Sequence, residues 1–293
     1  MKRLDDQLEL SATDLVGYLN CRHLIELETR VVSGALKRPV FRDPFLDLLS
    51  ERGAIHEDNF VRHLEQSGFA VTRIEGGGIT STHISETTAA MMAGAQVIVQ
   101  AALKKDTWVG RADILRRIDI PSRLGGWSYE VIDTKLAQQT RGGTVLQLCL
   151  YADLVASIQG HWPEDVYVVV PGTGFPVQRF HTSAYAAYYR LVKRAFEQTL
   201  DRRSAAATYP DPVEHCDICR WRVECDSRRR NDDHLCLIAG ITKIQTAELK
   251  RRGVHTASAL AEMPIPLQWK PFAVRAIHTN AQESKLACKF VHV

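Results

Sequence analysis

Two stretches, TWVGRADILRRIDI at residues 107–120 and WSYEVIDTKL at residues 127–136, decide the expected fold. Both are rich in β-branched and aromatic residues, and the intervening PSRLGG contains the proline and glycines of a turn. They therefore predict two neighbouring strands. Asp113 lies in the first strand. Asp133 and Lys135 are two residues apart in the second, so their side chains share one face of the sheet.

The flanking sequence predicts helices on both sides of these strands. Ser11 to Asp14 and Asp43-Pro44 are helix start signals, for helices that end near Cys21 and Gly68. Further helices are predicted over 84–104, 143–159 and 183–203, and further strands over 69–75, 165–170 and 175–181. This order predicts an α/β fold, a mixed sheet flanked by helices.

The composition narrows the class of protein. The chain has 293 residues, of which 24% are charged and 45% hydrophobic, which excludes a disordered tail, collagen and a coiled-coil rod. No apolar run reaches the ~18 residues of a membrane span. The N-terminal MKRLDDQLEL is acidic where a signal peptide needs an apolar core, so we expect a cytoplasmic protein. The net charge of +3 is too small to indicate a nucleic-acid partner by itself.

Asp113, Asp133 and Lys135 form the first candidate site. Two carboxylates hold a hard cation such as magnesium, and the cation lowers the pKa of a bound water and neutralises charge on a phosphate. A lysine beside them can orient the water or stabilise negative charge on the phosphate. This arrangement suits phosphodiester hydrolysis. An Asp-x-Lys triplet alone arises by chance about once in such a chain, so it is a weak signal.

Three further residues extend this site. Gln147 and Tyr151 are four apart in a predicted helix and share one face, where they can bind phosphate or position the lysine. The alternative is an exposed glutamine beside a tyrosine at the core edge. His56, on the long second helix, can supply a neutral imidazole to a metal. A lone helical histidine is more often an ordinary surface or core residue.

Cys216, Cys219 and Cys225 lie within ten residues, with His215 adjacent. Thiolates at this spacing are typical of metal ligands. Two assignments remain open from the spacing. Zinc would take a nearby fourth ligand, namely His215, His234 or Cys236, whereas an iron–sulfur cluster would take a fourth thiolate that can be distant in sequence.

The order of these features resembles the RecB-like branch of the PD-(D/E)xK nucleases, in the subgroup with a 4Fe-4S cluster that includes CRISPR-associated RecB-type exonucleases. The resemblance covers about residues 10–230. It implies a restriction-endonuclease-like mixed sheet and an iron–sulfur staple, a cluster that joins the two ends of the domain. It assigns the following roles: magnesium or manganese ligands His56, Asp113 and Asp133; catalytic residues Asp113, Asp133, Lys135, Gln147 and Tyr151; cluster ligands Cys21, Cys216, Cys219 and Cys225. The chain departs from the commoner pattern because residue 133 is Asp and not Glu.

The resemblance implies a metal-dependent, exonuclease-like deoxyribonuclease that acts on single-stranded DNA or frayed ends. A helicase, an integrase or another nucleic-acid-processing protein is the implied partner. Two alternatives stay open. One is a CRISPR-associated end-trimming nuclease that works with an integrase, and the other is a non-catalytic scaffold that only binds DNA.

The last part of the sequence predicts a small helical element. Residues 237–263 contain two glycine–hydrophobic pairs, Gly240-Ile241 and Gly253-Val254, each before a predicted helix. This pattern resembles a helix-hairpin-helix element, in which backbone N–H groups approach a DNA phosphate. The residues expected to contact DNA are Gly240, Lys243, Lys250, Arg251 and Arg252. The alternative is a packing module. We therefore predict a nuclease domain over 1–235 and a helix-hairpin-helix-like tail over 236–293.

Overall fold

A computed structural model describes residues 1–4, 7–201 and 208–263. A short antiparallel hairpin, β1 (Lys2–Leu4) and β2 (Gln7–Glu9), comes first. The main sheet has six strands: β3 (Val71–Arg73), β4 (Val97–Lys105), β5 (Trp108–Ile118), β6 (Ser128–Thr134), β7 (Asp165–Val169) and β8 (Val177–His181). They are ordered in space as in sequence. Because β3–β4 and β6–β7 are parallel and the other pairs antiparallel, the sheet is mixed.

The helices of the described residues are α1 (Ala12–Asn20), α2 (Arg22–Val32), α3 (Pro44–Gln66), α4 (Ser81–Met92), α5 (Gly142–Gln159), α6 (Thr182–Asp201), α7 (Arg222–Asn231), α8 (Lys243–Arg251) and α9 (Ala257–Ala261). Helices of the same unit cover both faces of the main sheet. On one face, α3 packs Phe60, Val61 and Leu64 against the strands. On the other face, the larger core includes Leu148 and Leu154 of α5 and Phe196 of α6. The predicted α/β class, a mixed sheet flanked by helices, is confirmed.

The chain divides into two compact units, Met1–Arg228 and Arg229–Val293. In the second unit, α8 and α9 belong to a small apolar cluster around Leu235, Leu249 and Val254. Residues 264–293 of the predicted tail lie outside the described residues. Within the described ranges, no helix has both the length and the apolar character that a bilayer crossing requires.

One element of the prediction is wrong. The expected helix over 84–104 ends at Met92 as α4, and Val97–Lys105 is the strand β4. This strand is buried on both faces of the sheet, so it lacks the alternation of a half-buried strand, and its alanines suggested a helix. The β-branched run Val97-Ile98-Val99 is the feature that favours a strand. Helix α2 and the first hairpin were not predicted.

Candidate active site

The pairing of β5 with β6 brings Asp113 and Asp133 together. The antiparallel register pairs Ile114 with Ile132, so Asp113 and Asp133, each one residue further along, lie opposite each other on neighbouring strands. One Asp113 oxygen, Oδ2, accepts hydrogen bonds from the Thr134 backbone N–H at 2.9 Å and from its Oγ1 at 3.2 Å. Two predicted metal ligands therefore lie side by side.

Asp133 has partners from both its own strand and α5. Its side chain is 0% exposed, and its Oδ2 lies 2.6 Å from Nζ of Lys135. The Gln147 amide donates to Asp133 Oδ1 and to the Tyr151 hydroxyl, each at 3.3 Å. The structure thus brings Lys135, Gln147 and Tyr151 to the carboxylate pair. A Cβ added to Gly110 of β5 would lie 2.6 Å from the Tyr151 ring, so only glycine allows this approach.

The electrostatics of the site oppose a fully ionised pair. Burial, and secondly the neighbouring charge of Asp113, raise the pKa of Asp133 to about 8, although Lys135 acts in the opposite direction. Burial and the two aspartates also raise the pKa of Tyr151. The raised pKa favours the protonated form of Asp133 in the metal-free protein, and a bound cation would compete with that proton.

Glu57 is a site residue that the sequence interpretation missed. It lies on α3, and burial followed by the charge of Asp113 raises its pKa, whereas Lys135 lowers it. Glu57 is therefore within electrostatic reach of both. A sequence signal was present: Glu57 shares a helical face with Phe60, Val61 and Leu64, so it is an acid within an apolar stripe.

His56 contacts the backbone of β7, whereas the adjacent Glu57 interacts with Asp113. Its Nε2 lies 3.3 Å from the Val169 carbonyl oxygen of β7, which also accepts the Lys135 backbone N–H at 3.0 Å. The His56 ring lies beside Phe175, with 6.0 Å between the ring centroids. His56 is thus adjacent to the Lys135 backbone, and Glu57 is the α3 side chain that interacts with Asp113.

The donor set suits a cation that keeps part of its water shell. Across the described ranges, no group of three or more His, Cys, Asp or Glu side chains is arranged to hold a metal ion. Asp113 and Asp133 together fit magnesium or manganese, because magnesium is commonly bound by one or two carboxylates, waters and substrate phosphates. The buried Asp133 Oδ2 also lacks a hydrogen bond of regular geometry, despite its close contact with Lys135.

The structure also brings Cys21 within electrostatic reach of Cys219. Burial raises the pKa of Cys219, and the thiols of Cys21 and Cys216 raise it further. Backbone N–H groups donate to sulfur in two cases, from Leu24 to Cys21 and from Val213 to Cys216, each at 3.4 Å. Donors of this kind stabilise a thiolate. Cys225 is half-buried, and its backbone N–H donates to the carbonyl oxygen of Trp221, one helical turn earlier, at 3.0 Å.

Other contacts join the same two segments of the chain. Glu26 of α2 accepts hydrogen bonds from the backbone N–H of Thr208, at 2.7 Å, and from its hydroxyl. The Trp221 indole donates to Glu28 at 3.0 Å. Helix α2 therefore holds the segment that carries the cysteine triplet, independently of any metal.

Two histidines, His234 and His215, were alternatives for the nearby fourth ligand that zinc would take. His234 belongs to the second unit, where its Nδ1 accepts the Cys236 backbone N–H at 3.2 Å and its Nε2 lies 2.9 Å from Nζ of Lys250. Both ring nitrogens are thus engaged. His215 is half-buried, and burial lowers its pKa.

No family model matches this chain. No curated protein matches it either. Among solved structures, the crystal structure of SSO0001 is similar with a TM-score of 0.37 and 16% sequence identity, over 77% of this chain and 89% of that chain. A likeness this weak carries no inference about fold or activity.

In the second unit, most of the predicted DNA-contacting cations have intramolecular partners. Glu248 accepts from Arg251 at 2.7 Å and from Arg252 at 2.5 Å, and Lys250 contacts His234. Lys243, at the start of α8, is exposed. Thr242 caps this helix through its hydroxyl, which accepts the Gln245 N–H at 3.2 Å. Gly240 has a φ of 74°, in the left-handed region that favours glycine.

Proposed function

We propose that this chain is a metal-dependent nuclease that hydrolyses DNA phosphodiester bonds, with single strands or frayed ends as its substrate class. The observation that carries the proposal is the buried carboxylate pair, Asp113 and Asp133, on neighbouring strands with Lys135 Nζ at 2.6 Å. A buried charge cluster of this kind is costly to folding and is typical of a functional site. The mixed sheet flanked by helices is consistent with a restriction-endonuclease-like fold, and we propose that fold together with the activity.

Each side chain has a proposed task. Asp113 and Asp133 would hold magnesium or manganese, which supplies a water of lowered pKa and neutralises phosphate charge. Lys135 places an ammonium where negative charge develops on the phosphate. Gln147 fixes the orientation of Asp133 through Oδ1. Glu57, whose pKa is raised by burial and by Asp113, would accept a proton from the attacking water.

The proposal includes a structural 4Fe-4S cluster held by Cys21, Cys216, Cys219 and Cys225. The effect of the Cys21 and Cys216 thiols on the pKa of Cys219 supports it, as do the N–H donors to two of the sulfurs. Cys21 lies far from the other three in sequence, so the cluster would close a long loop and restrict the unfolded chain. We therefore assign it a role in stability and not in the chemistry.

A cleavage assay with the purified full chain tests the proposed activity. Labelled single-stranded, blunt and frayed duplex DNA are incubated with magnesium, manganese or a chelator. We expect cleavage of single strands and frayed ends that requires metal and that Lys135→Met abolishes. Lys37→Met changes a lysine of the α2–α3 connection and serves as the control. Equal cleavage in chelator would refute the metal dependence, and DNA binding without any cleavage would favour the scaffold alternative.

The tail gives a second measurable expectation. Deletion of residues from 237 onward should weaken DNA binding and reduce its salt dependence, because phosphate contacts release counterions. Cleavage at saturating DNA should persist. Among single changes, Lys243→Ala should weaken binding more than Arg251→Ala, because Arg251 is paired with Glu248. Affinity is measured by fluorescence anisotropy at several salt concentrations, and unchanged low-salt affinity of the deletion would identify the tail as a packing module.

A further inference from the structure

Gln100 has an unusual backbone conformation in the middle of β4. Its φ is 57°, which is rare for any residue other than glycine and is not expected inside a strand. The register with β5 pairs Val99 with Ile114 and Ala101 with Ala112, but the intervening pair, Gln100 and Asp113, is skipped. The irregularity therefore lies directly opposite a proposed metal ligand.

The irregularity changes which face of the sheet each residue occupies. Val97 and Val99 pack on the α3 side, whereas Ala101 and Leu103 pack on the opposite side. In a regular strand these four alternate residues would share one face. The neighbouring strand changes in the same place, because Ile114 packs on the α3 side and Ala112 on the other. In β4 and β5, the alternation of side chains between the two faces of the sheet is thus interrupted beside Asp113.

The Gln100 side chain links two charged residues. Its Nε2 donates to Oε1 of Glu57, and its Oε1 accepts a hydrogen bond from Arg111 Nε at 2.9 Å. Arg111 also donates to the carbonyls of Ile74 and Gly78, each at 2.6 Å. A guanidinium can only donate, so the Gln100 oxygen must face Arg111 and its NH₂ must face Glu57. The amide orientation is therefore fixed.

We propose that Gln100 is a positioning residue, held in a left-handed conformation so that its amide aims the Glu57 carboxylate at the Asp113 site. This inference rests on the proposed function. Asp113 repels the Glu57 carboxylate, so without a donor Glu57 would turn away from the site. The amide, anchored through Arg111, supplies that donor. Backbone strain next to reacting groups is a known way to hold such an arrangement.

Gln100→Gly tests this role. Glycine adopts a positive φ without steric cost, which offsets the loss of the two amide hydrogen bonds, so the variant should keep the midpoint of chemical unfolding. It removes the amide that holds Glu57, the proposed partner of the attacking water that the metal would supply, and loss of such an outer partner of a metal site typically costs about 10- to 100-fold in metal affinity or activity. We expect that loss in the manganese affinity, measured by electron paramagnetic resonance titration, and in the cleavage rate. Gln100→Glu, which places a carboxylate against Glu57, should lower both at least as much.

Asp106→Gly is the matched control. Asp106 lies in the turn between β4 and β5 and has a φ of 53°, so the same substitution relieves the same backbone conformation away from the site. Its manganese affinity and cleavage rate should equal those of the wild type. A Gln100→Gly protein that binds manganese and cleaves normally overturns the proposal. A parallel fall in unfolding midpoint overturns it too, because it would show a structural role.

The outcome for the wild type separates this inference from the proposed function. If the wild type binds manganese but cleaves no DNA, the proposed function fails and the Gln100→Gly titration still decides the positioning role. If the wild type neither binds manganese nor cleaves, both fail.

Discussion

Asp133→Asn should lower the rate of DNA cleavage by about 100- to 1000-fold, the typical loss when one electrostatic contact to the transition state is removed. It should also stabilise the metal-free protein at neutral and alkaline pH. Asparagine keeps the size of the side chain and its contact with Gln147 but cannot ionise. Asp113→Ala should reduce cleavage to a similar extent. The combination of lost activity and gained stability is the expected signature of a site that is costly to the fold.

The sign of the stability effect follows from the pKa. Burial and Asp113 raise the pKa of Asp133 from 3.8 to about 8, so the folded chain binds this proton more tightly than the unfolded chain does. Below the unfolded pKa both states are protonated and the group has no effect. As pH rises from about 4 to about 8, ionisation of Asp133 progressively lowers the free energy of unfolding. Above about pH 8 this destabilisation is fully present.

Thermal unfolding in chelator between pH 5 and 9 measures this effect. The wild-type Tm should fall relative to that of Asp133→Asn across the interval, with the largest difference at the alkaline end. Asp119→Asn is the control, because Asp119 is 88% exposed and should alter neither Tm nor cleavage. Normal cleavage by both Asp133→Asn and Asp113→Ala would eliminate the proposed site, whereas an inactive Asp133→Asn with an unchanged pH dependence would refute only the electrostatic account.

The sequence was sufficient to predict the parts of the site that lie in regular elements. Asp133 and Lys135 follow strand alternation, and Gln147 and Tyr151 follow the four-residue spacing of a helix. Both patterns depend only on local geometry. The predicted bounds of β5, β6 and α5 are accordingly close to the observed ones.

The remaining parts depend on tertiary contacts or on departures from periodicity. β4 is buried on both faces, so its sequence carries no alternation. The change of face at Gln100 and Asp113 violates the very pattern on which strand prediction rests. Lys250 lies beside His234, sixteen residues away, which no local rule indicates. By contrast, the pairing of Glu248 with Arg251 and Arg252 follows the three- and four-residue helical spacing and was readable from the sequence.

Cys21→Ala should remove the metal centre and destabilise the protein, although Cys21 is far from the cysteine triplet in sequence. Anaerobically purified wild-type protein should be brown and contain about four irons and four sulfides per chain. The variant should lose colour, iron and thermal stability together, since each thiolate bond to the cluster also restrains the unfolded chain. Iron and sulfide analysis, the visible absorption spectrum and Tm measure the three effects.

Three controls separate ligation from packing and from chemistry. Cys149→Ala should keep the cluster, because Cys149 is buried in α5 and burial raises its pKa to about 12. Thr208→Val removes the hydroxyl that donates to Glu26 but keeps the backbone N–H bond, and it should lower stability without loss of iron. Lys135→Ala should keep iron and fold while cleavage fails, because Lys135 contacts the carboxylate site. Zinc without sulfide, or full iron content in Cys21→Ala, would overturn the cluster assignment, and the nuclease proposal would stand because its ligands are carboxylates.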